Sequence, residues 1–138
     1  MIQPGLAVQQ AMSAALVARE PLTALLGGAF VFDELPRGCQ APYVHFTTIE
    51  TRDWSTADQK AHENFVTLEI ASNSRSRVQA QSIIQEIETA LDGAPLTLTD
   101  HALINLHCIF ISAMRQKQAG TFSATLRFRA ATEPLEDS

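Results

Sequence analysis

The residues best suited to acid–base, nucleophilic or metal chemistry in this chain are His45, His62, His101, His107, Cys39 and Cys108. A zinc site needs three or four such ligands converging on one point. The stretch HENFV at 62–66 opens like the HExxH pair of a metalloprotease, but Val66 stands where the second histidine belongs. His107 and Cys108 are neighbours in an apolar stretch that reads as strand, so they point to opposite faces and cannot chelate together. A serine or cysteine nucleophile needs a base and an orienting acid beside it. No GxSxG elbow surrounds any serine, and Asp100–His101 reads as a loop or turn before a strand. The phosphate-cradling patterns GxxxxGK[ST] and GxGxxG are missing, and Gly27–Gly28 reads as a helix terminator. These residues therefore assign no catalytic group, metal or cofactor.

Basic residues recur at Arg52, Arg75, Arg77, Arg115, Lys117, Arg127 and Arg129. Arg127 and Arg129 share one strand face at period 2. A nucleic-acid platform would interleave exposed aromatics with them, whereas Phe122 and Phe128 fall on the opposite, apolar face. Two readings stay open: a solvated polar face, or a subunit interface whose arginines meet a neighbour's carboxylates. Trp54 is the only tryptophan. It stands at the mouth of a polar loop carrying Asp58, Lys60 and Glu63, and reads equally as an interface anchor or a lid on the core edge. The candidate interface residues are Arg52, Trp54, Asp58, Lys60, Glu63, Arg127 and Arg129.

The bulk properties bound what those residues can belong to. A chain of 138 residues suits one domain, 1–138, with a buried core. Its charged fraction of 18% against 46% hydrophobic is a globular balance, which excludes a disordered chain. Glu133, Glu136 and Asp137 supply much of the net charge of −5, so the body is nearly neutral and lacks the basic field of a non-specific nucleic-acid binder. No run is long enough to span a membrane, and MIQPGLAVQQ lacks the basic and apolar regions of a secretory signal. Two cysteines do not make a disulfide framework; both read as free thiols made in the cytoplasm.

Residues 5–19 read as a helix started by Pro4, with Leu6, Val8, Met12, Ala15 and Leu16 on its apolar face. A short turn with Leu22, Leu25 and Leu26 ends at Gly27–Gly28. AFVFDEL offers a short edge strand, followed by a loop with Pro36, Gly38 and Pro42. Tyr43–Trp54 reads as a strand with Val44, Phe46 and Thr48 on one face and His45, Thr47 and Ile49 on the other. Ser55–Asn64 is the polar loop, and Phe65–Ala71 a strand with Val66, Leu68 and Ile70 inward. Asn73 or Ser74 can cap the next helix, whose buried stripe is Ala80, Ile83, Ile84, Ile87 and Leu91. Leu103–Met114 is the most apolar run and reads as a central strand with both faces at least partly covered. Thr121–Ala131 alternates strictly, and residues 133–138 form a mobile acidic tail. The order predicts an α+β fold: a mainly antiparallel or mixed sheet of four to five strands, with two main helices packed on one face.

Several of these pieces, in this order, resemble a known family. They are PLTALLGG, VFDELPRG and APYVHF, then TRDWST, then FVTLEIASNSRSRVQAQSIIQEIETAL, and finally FRAATE. The resemblance, over roughly residues 5–133, is to the small tail-completion proteins, or tail terminators, of long-tailed phages, prophages and gene transfer agents. It implies a hexameric homo-oligomeric ring that caps the tail tube and joins it to the head-side connector or stopper, with DNA passing through without specific binding. It also implies assembly in the cytoplasm of the producing bacterium, then residence in the neck or tail of the particle. The family offers no catalytic residues to carry over. It adds only the expectation that the Trp54–Asn64 loop and exposed sheet faces make ring and tube contacts. Two other readings compete: a small α+β hydrolase using His45 or His107, and a nucleic-acid module using Arg127 and Arg129.

Overall fold

A computed structural model describes residues 1–135. The chain runs α1 (Pro4–Val17), α2 (Glu20–Leu26), β1 (Val31–Phe32), β2 (Tyr43–Asp53), β3 (His62–Ala71), α3 (Arg77–Leu91), β4 (His101–Arg115) and β5 (Phe122–Pro134). One mixed sheet has the order β1-β2-β3-β5-β4, antiparallel except for the β1–β2 pair. The helices cover one face of it, which makes the fold α+β as the sequence predicts. The short α2 joins the two main helices there.

Apolar periodicity explains the packing. Ala80, Ile83, Ile84, Ile87 and Leu91 recur at helical spacing along α3 and are all buried. Val66, Leu68 and Ile70 of β3 face them, as do Ala124, Leu126 and Phe128 of β5. Each large side chain removed from water there contributes about 1.5–3 kcal/mol. On α1 the buried row is Ala7, Val8, Met12 and Leu16. Leu6 and Leu25, expected on apolar faces, are instead partly exposed. Gly5 lets α1 approach β2: a Cβ there would stand 2.5 Å from Ile49 Cγ2 and 2.6 Å from Thr51 Oγ1. At the α1–α2 joint, Arg19 reaches across to Glu86 of α3 at 3.0 Å. Gly27 ends α2 at φ 81°, a left-handed conformation that glycine takes without strain.

Several boundaries and faces differ from the sequence expectation. Strand β3 starts at His62, so Glu63 and Asn64 lie in the sheet, and the preceding loop is only Trp54–Ala61. A register shift between Phe46 and Thr48 reverses the alternation of β2. Thr48 therefore stands opposite Thr67 on the open face, and Ile49 opposite Val66 on the helix side. Helix α3 is capped by Ser76, whose hydroxyl accepts from the Val78 N–H at 3.2 Å, rather than by Asn73 or Ser74. Of the expected acidic tail, Glu133 and Pro134 complete β5, and Leu135 N–H donates to the Asp100 carbonyl at 3.0 Å. Residues 136–138 fall outside the described residues.

The largest correction concerns β4. It is an edge strand and not the covered centre; β5 takes the interior place beside it. Leu106 is buried, and Leu103, Cys108 and Ala113 pack on the core. Ile104, Ile109, Phe110, Ile111 and Met114 are 42–65% exposed. Register shifts at Leu103/Asn105 and Cys108/Phe110 carry these apolar residues out of a simple alternation.

Candidate functional site

The face of the sheet turned away from the helices gathers most of the predicted interface residues. Strand β2 brings Glu50 and Arg52, β3 brings Glu63 and Phe65, and β5 brings Arg127 and Arg129. Glu63 is the hub. Its Oε2 accepts from Arg129 Nε at 2.5 Å, and its Oε1 from Arg52 Nε at 2.8 Å. Arg127 pairs with Glu50 at 3.2 Å, and Arg129 Nη1 also donates to Asn105 Oδ1 at 3.4 Å.

Aromatic rings fill the gaps between these charges. The guanidinium carbons of Arg52 and Arg127 lie 5.2 and 4.7 Å from the centre of the Phe65 ring, and that of Arg129 lies 5.0 Å from Trp54. Such stacking contributes about 0.5–1 kcal/mol per pair at exposed sites and fixes the planes of the guanidiniums. The two arginines together hold the Glu63 carboxyl below the usual glutamate range; the Arg129 hydrogen bond is the leading cause, working against partial desolvation. The result is an interlocked, nearly neutral surface, with Arg52, Arg127 and Arg129 set against Glu50 and Glu63.

Beneath this face, Asn64 is fully buried on the helix side. Its Oδ1 accepts from Thr51 Oγ1 at 2.9 Å, and its Nδ2 donates to Ala130 O and Thr132 Oγ1, both at 3.1 Å. It thereby joins β2, β3 and β5 under the Glu63 hub.

The Trp54–Ala61 loop is folded on itself. Trp54 N–H donates to Ala61 O, Thr56 N–H to Gln59 O, and the Ser55 hydroxyl bonds both the N–H and the carbonyl of Ala61. Gln59 also donates to the Glu133 carboxylate of β5. Asp58 and Lys60 project from the exposed tip, away from the glutamate–arginine cluster. Of the seven predicted residues, the fold brings together Arg52, Trp54, Glu63, Arg127 and Arg129, and leaves Asp58 and Lys60 apart.

The histidines and cysteines show no comparable convergence. His45 and His107 stand on β2 and β4, with β3 and β5 between them. His101 is buried and uses Nε2 on the Ile2 carbonyl at 2.8 Å, while Asp100 accepts from the Ile2 N–H at 2.9 Å. Burial pushes the Cys108 thiol up, opposite to the shift that activates a nucleophile. Among the described residues, no group of three or more His, Cys, Asp or Glu side chains is placed to hold a metal ion.

The described residues thus present a polar, mixed-sign sheet face and an exposed apolar edge. The family model for the tail completion protein gp17 matches residues 10–133. The chain belongs to this family. Its role is accordingly structural, in the tail of a phage-type particle. Among solved structures it is similar to a chain of the "virion of native gene transfer agent (GTA) particle". The two are 27% identical with a TM-score of 0.83, and the match covers 92% of this chain and 95% of that one. None of the curated proteins matches.

Two features of this tail completion protein's surface escaped sequence reasoning. Phe65 and Glu50, which lock the arginines, come from strands other than theirs, so no pattern within Thr121–Ala131 reveals them. The exposed apolar row of β4 was legible as residues but not as surface, because an unbroken apolar run reads as core. No helix among the described residues is long and apolar enough to cross a membrane.

Proposed function

We propose that the chain is a tail terminator. In this reading it acts as one domain and as the subunit of a homo-oligomeric ring, hexameric as the resemblance implies. The ring caps the finished tail tube and joins it to the head-side connector or stopper. It assembles in the producing bacterium's cytoplasm and ends in the neck or tail of the particle. Its role is mechanical, and no catalytic step is required of it.

The observation that carries this reading is the edge of β4. Ile104, Ile109, Phe110, Ile111 and Met114 present apolar surface to water along a 15-residue strand at the border of the sheet. Single exposed apolar side chains are ordinary, but a row of them on an unpaired edge is the mark of a surface that another protein covers. Charge supports the same reading. Arg52, Arg127 and Arg129 spend their charge on Glu50 and Glu63, which suits a ring through which DNA must slide without being held by its phosphates. The Trp54 ring and the Asp58–Lys60 loop tip supply further contact for a tube or connector subunit.

The test is a producing strain lacking this chain, imaged by electron microscopy. Filled heads beside over-long or unjoined tails are expected, and supplying the chain restores joined particles. Normal particles in its absence would end the proposal.

A further inference from the structure

Four cations at one end of the sheet differ from the arginines of the open face. Arg75 precedes α3 and Arg77 opens it; Arg115 closes β4, and Lys117 lies in the turn to β5. All four are exposed. The guanidinium carbons of Arg77 and Arg115 each lie 4.7 Å from the centre of the Phe122 ring. That of Arg75 lies over Gly120, 3.7 Å from where a Cβ would stand. Three guanidiniums thus converge on one turn, and among the described residues none of the four cations is in an ion pair. Arg19, Arg52, Arg127 and Arg129, by contrast, each hold a glutamate. Like charges this close repel, and stacking on an aromatic ring offsets only part of that repulsion. The cluster lacks an anion that the described residues do not supply.

At the other end the sign reverses. Asp53, Asp58 and Glu133 surround open recesses beside Trp54 and Ile104, with Lys60 next to them. None of these three carboxylates is in an ion pair among the described residues. Hydrogen bonds from Ser55 hold the Asp53 carboxyl below its usual range, so it is anionic at neutral pH. Strand β5 runs from Phe122 at the basic end to Glu133 at the acidic end. At about 3.3 Å per residue the two ends are roughly 35 Å apart, too far to meet within one copy.

We infer that the basic end of one copy, Arg75, Arg77, Arg115 and Lys117, seats against the acidic end of the next copy, Asp53, Asp58 and Glu133. This rests on the ring reading above and names the contact that closes it. A head-to-tail ring needs two different, complementary patches on each subunit, and opposite charges give such a contact its direction and register. Trp54 and Ile104, each 46% exposed, offer an apolar floor for an incoming arginine stem. Arg129 already stacks on Trp54 in this manner.

Charge reversal tests it in the deletion strain. One variant carries Arg77→Glu and Arg115→Glu, a second Asp53→Lys and Glu133→Lys, and a third all four changes. Each two-site variant is expected to lower the count of completed particles by about tenfold or more, as the two reversed residues then meet charges of their own sign on the neighbour. The four-site chain, in which the reversed residues again meet opposite signs on the neighbour, is expected to recover most of that loss. A four-site chain as defective as the others overturns the inference, as do two-site variants that complement fully. Loss of salt-sensitive binding to a short DNA duplex in the Arg77→Glu, Arg115→Glu chain, with no recovery in the four-site chain, would reassign the cluster to phosphate.

A second measurement does not depend on reversal. Lys117→Cys with Asp58→Cys, in a chain whose Cys39 and Cys108 are changed to serine, should yield disulfide-linked multimers from assembled particles. Monomer alone on a non-reducing gel overturns the contact. If the wild-type chain proves dispensable for particles, the ring reading itself has failed; if it complements and these patterns are missing, only this contact has.

Discussion

Arg129 and Glu63 meet diagonally across the β3–β5 ladder, Nε to Oε2 at 2.5 Å, and Glu63 gives its other oxygen to Arg52 on the far side. One carboxylate therefore spans three strands and orients two guanidiniums, one of which lies on Trp54 and the other on Phe65. Glu63→Gln should lower the melting temperature modestly at neutral pH. The pH dependence follows from the lowered pKa of Glu63. A carboxyl whose folded pKa lies below its unfolded one stabilises fully above the ordinary glutamate value, about 4.3, and loses that contribution as pH falls through the folded value. The melting curves of wild type and Glu63→Gln should therefore converge on the acid side of the carboxylate range. A gap that stays constant with pH would contradict this account.

Asn64→Ala leaves Thr51 Oγ1, Thr132 Oγ1 and the Ala130 carbonyl without their buried partner. A cost of about 1–3 kcal/mol is expected. Urea unfolding followed by circular dichroism measures it as a lower midpoint with an unchanged slope.

Gly5→Ala sets two effects against each other. Alanine in place of glycine favours a helix by about 1 kcal/mol. The new Cβ, however, would press on Ile49 Cγ2 and Thr51 Oγ1 at 2.5 and 2.6 Å, both on stiff β-branched side chains. Overpacking of this kind costs about 1–3 kcal/mol, so net destabilisation is expected. A chain combining Gly5→Ala with Ile49→Ala should recover part of the loss in the same unfolding assay.

Ile87→Ala in the middle of the α3 stripe should cost about 2–5 kcal/mol, since Ile87 is fully buried. Val78→Ala on the same helix, where the side chain is 69% exposed, should change stability by less than about 0.5 kcal/mol. Equal effects at the two positions would mean that α3 packs differently.

Phe110→Glu together with Met114→Glu places charges on the exposed row of β4. The chain should melt near the wild-type temperature, because both side chains are more than half exposed, yet fail to restore joined particles in the deletion strain. Full complementation would remove β4 from the assembly surface.

These positions also show what could be read from the sequence. The α3 stripe and the alternation of β5 follow directly from apolar spacing, and every residue assigned to the stripe is buried. Arg127 and Arg129 likewise fall on the face their alternation demands. What escaped were breaks in period. A bulge near Thr47 exchanges the faces of β2 halfway along, and two more in β4 turn an apolar run outward. Nothing in the one-dimensional pattern marks a single extra residue. Glu63 and Asn64 were read as loop because they are polar, yet one is the hub of the open face and the other a buried junction. Their partners lie more than ten residues away and become visible only once three strands are in register.

The strand order carries a consequence for manufacture. β5, the last of the five strands in chain order, lies between β3 and β4. A chain cut short before Phe122 leaves β4 with no partner strand and β3 paired only with β2, so the β4 border is not held against the sheet. Only a chain translated through β5 can present that border in its final shape, so a product interrupted earlier lacks this surface by geometry alone, without any separate inspection step.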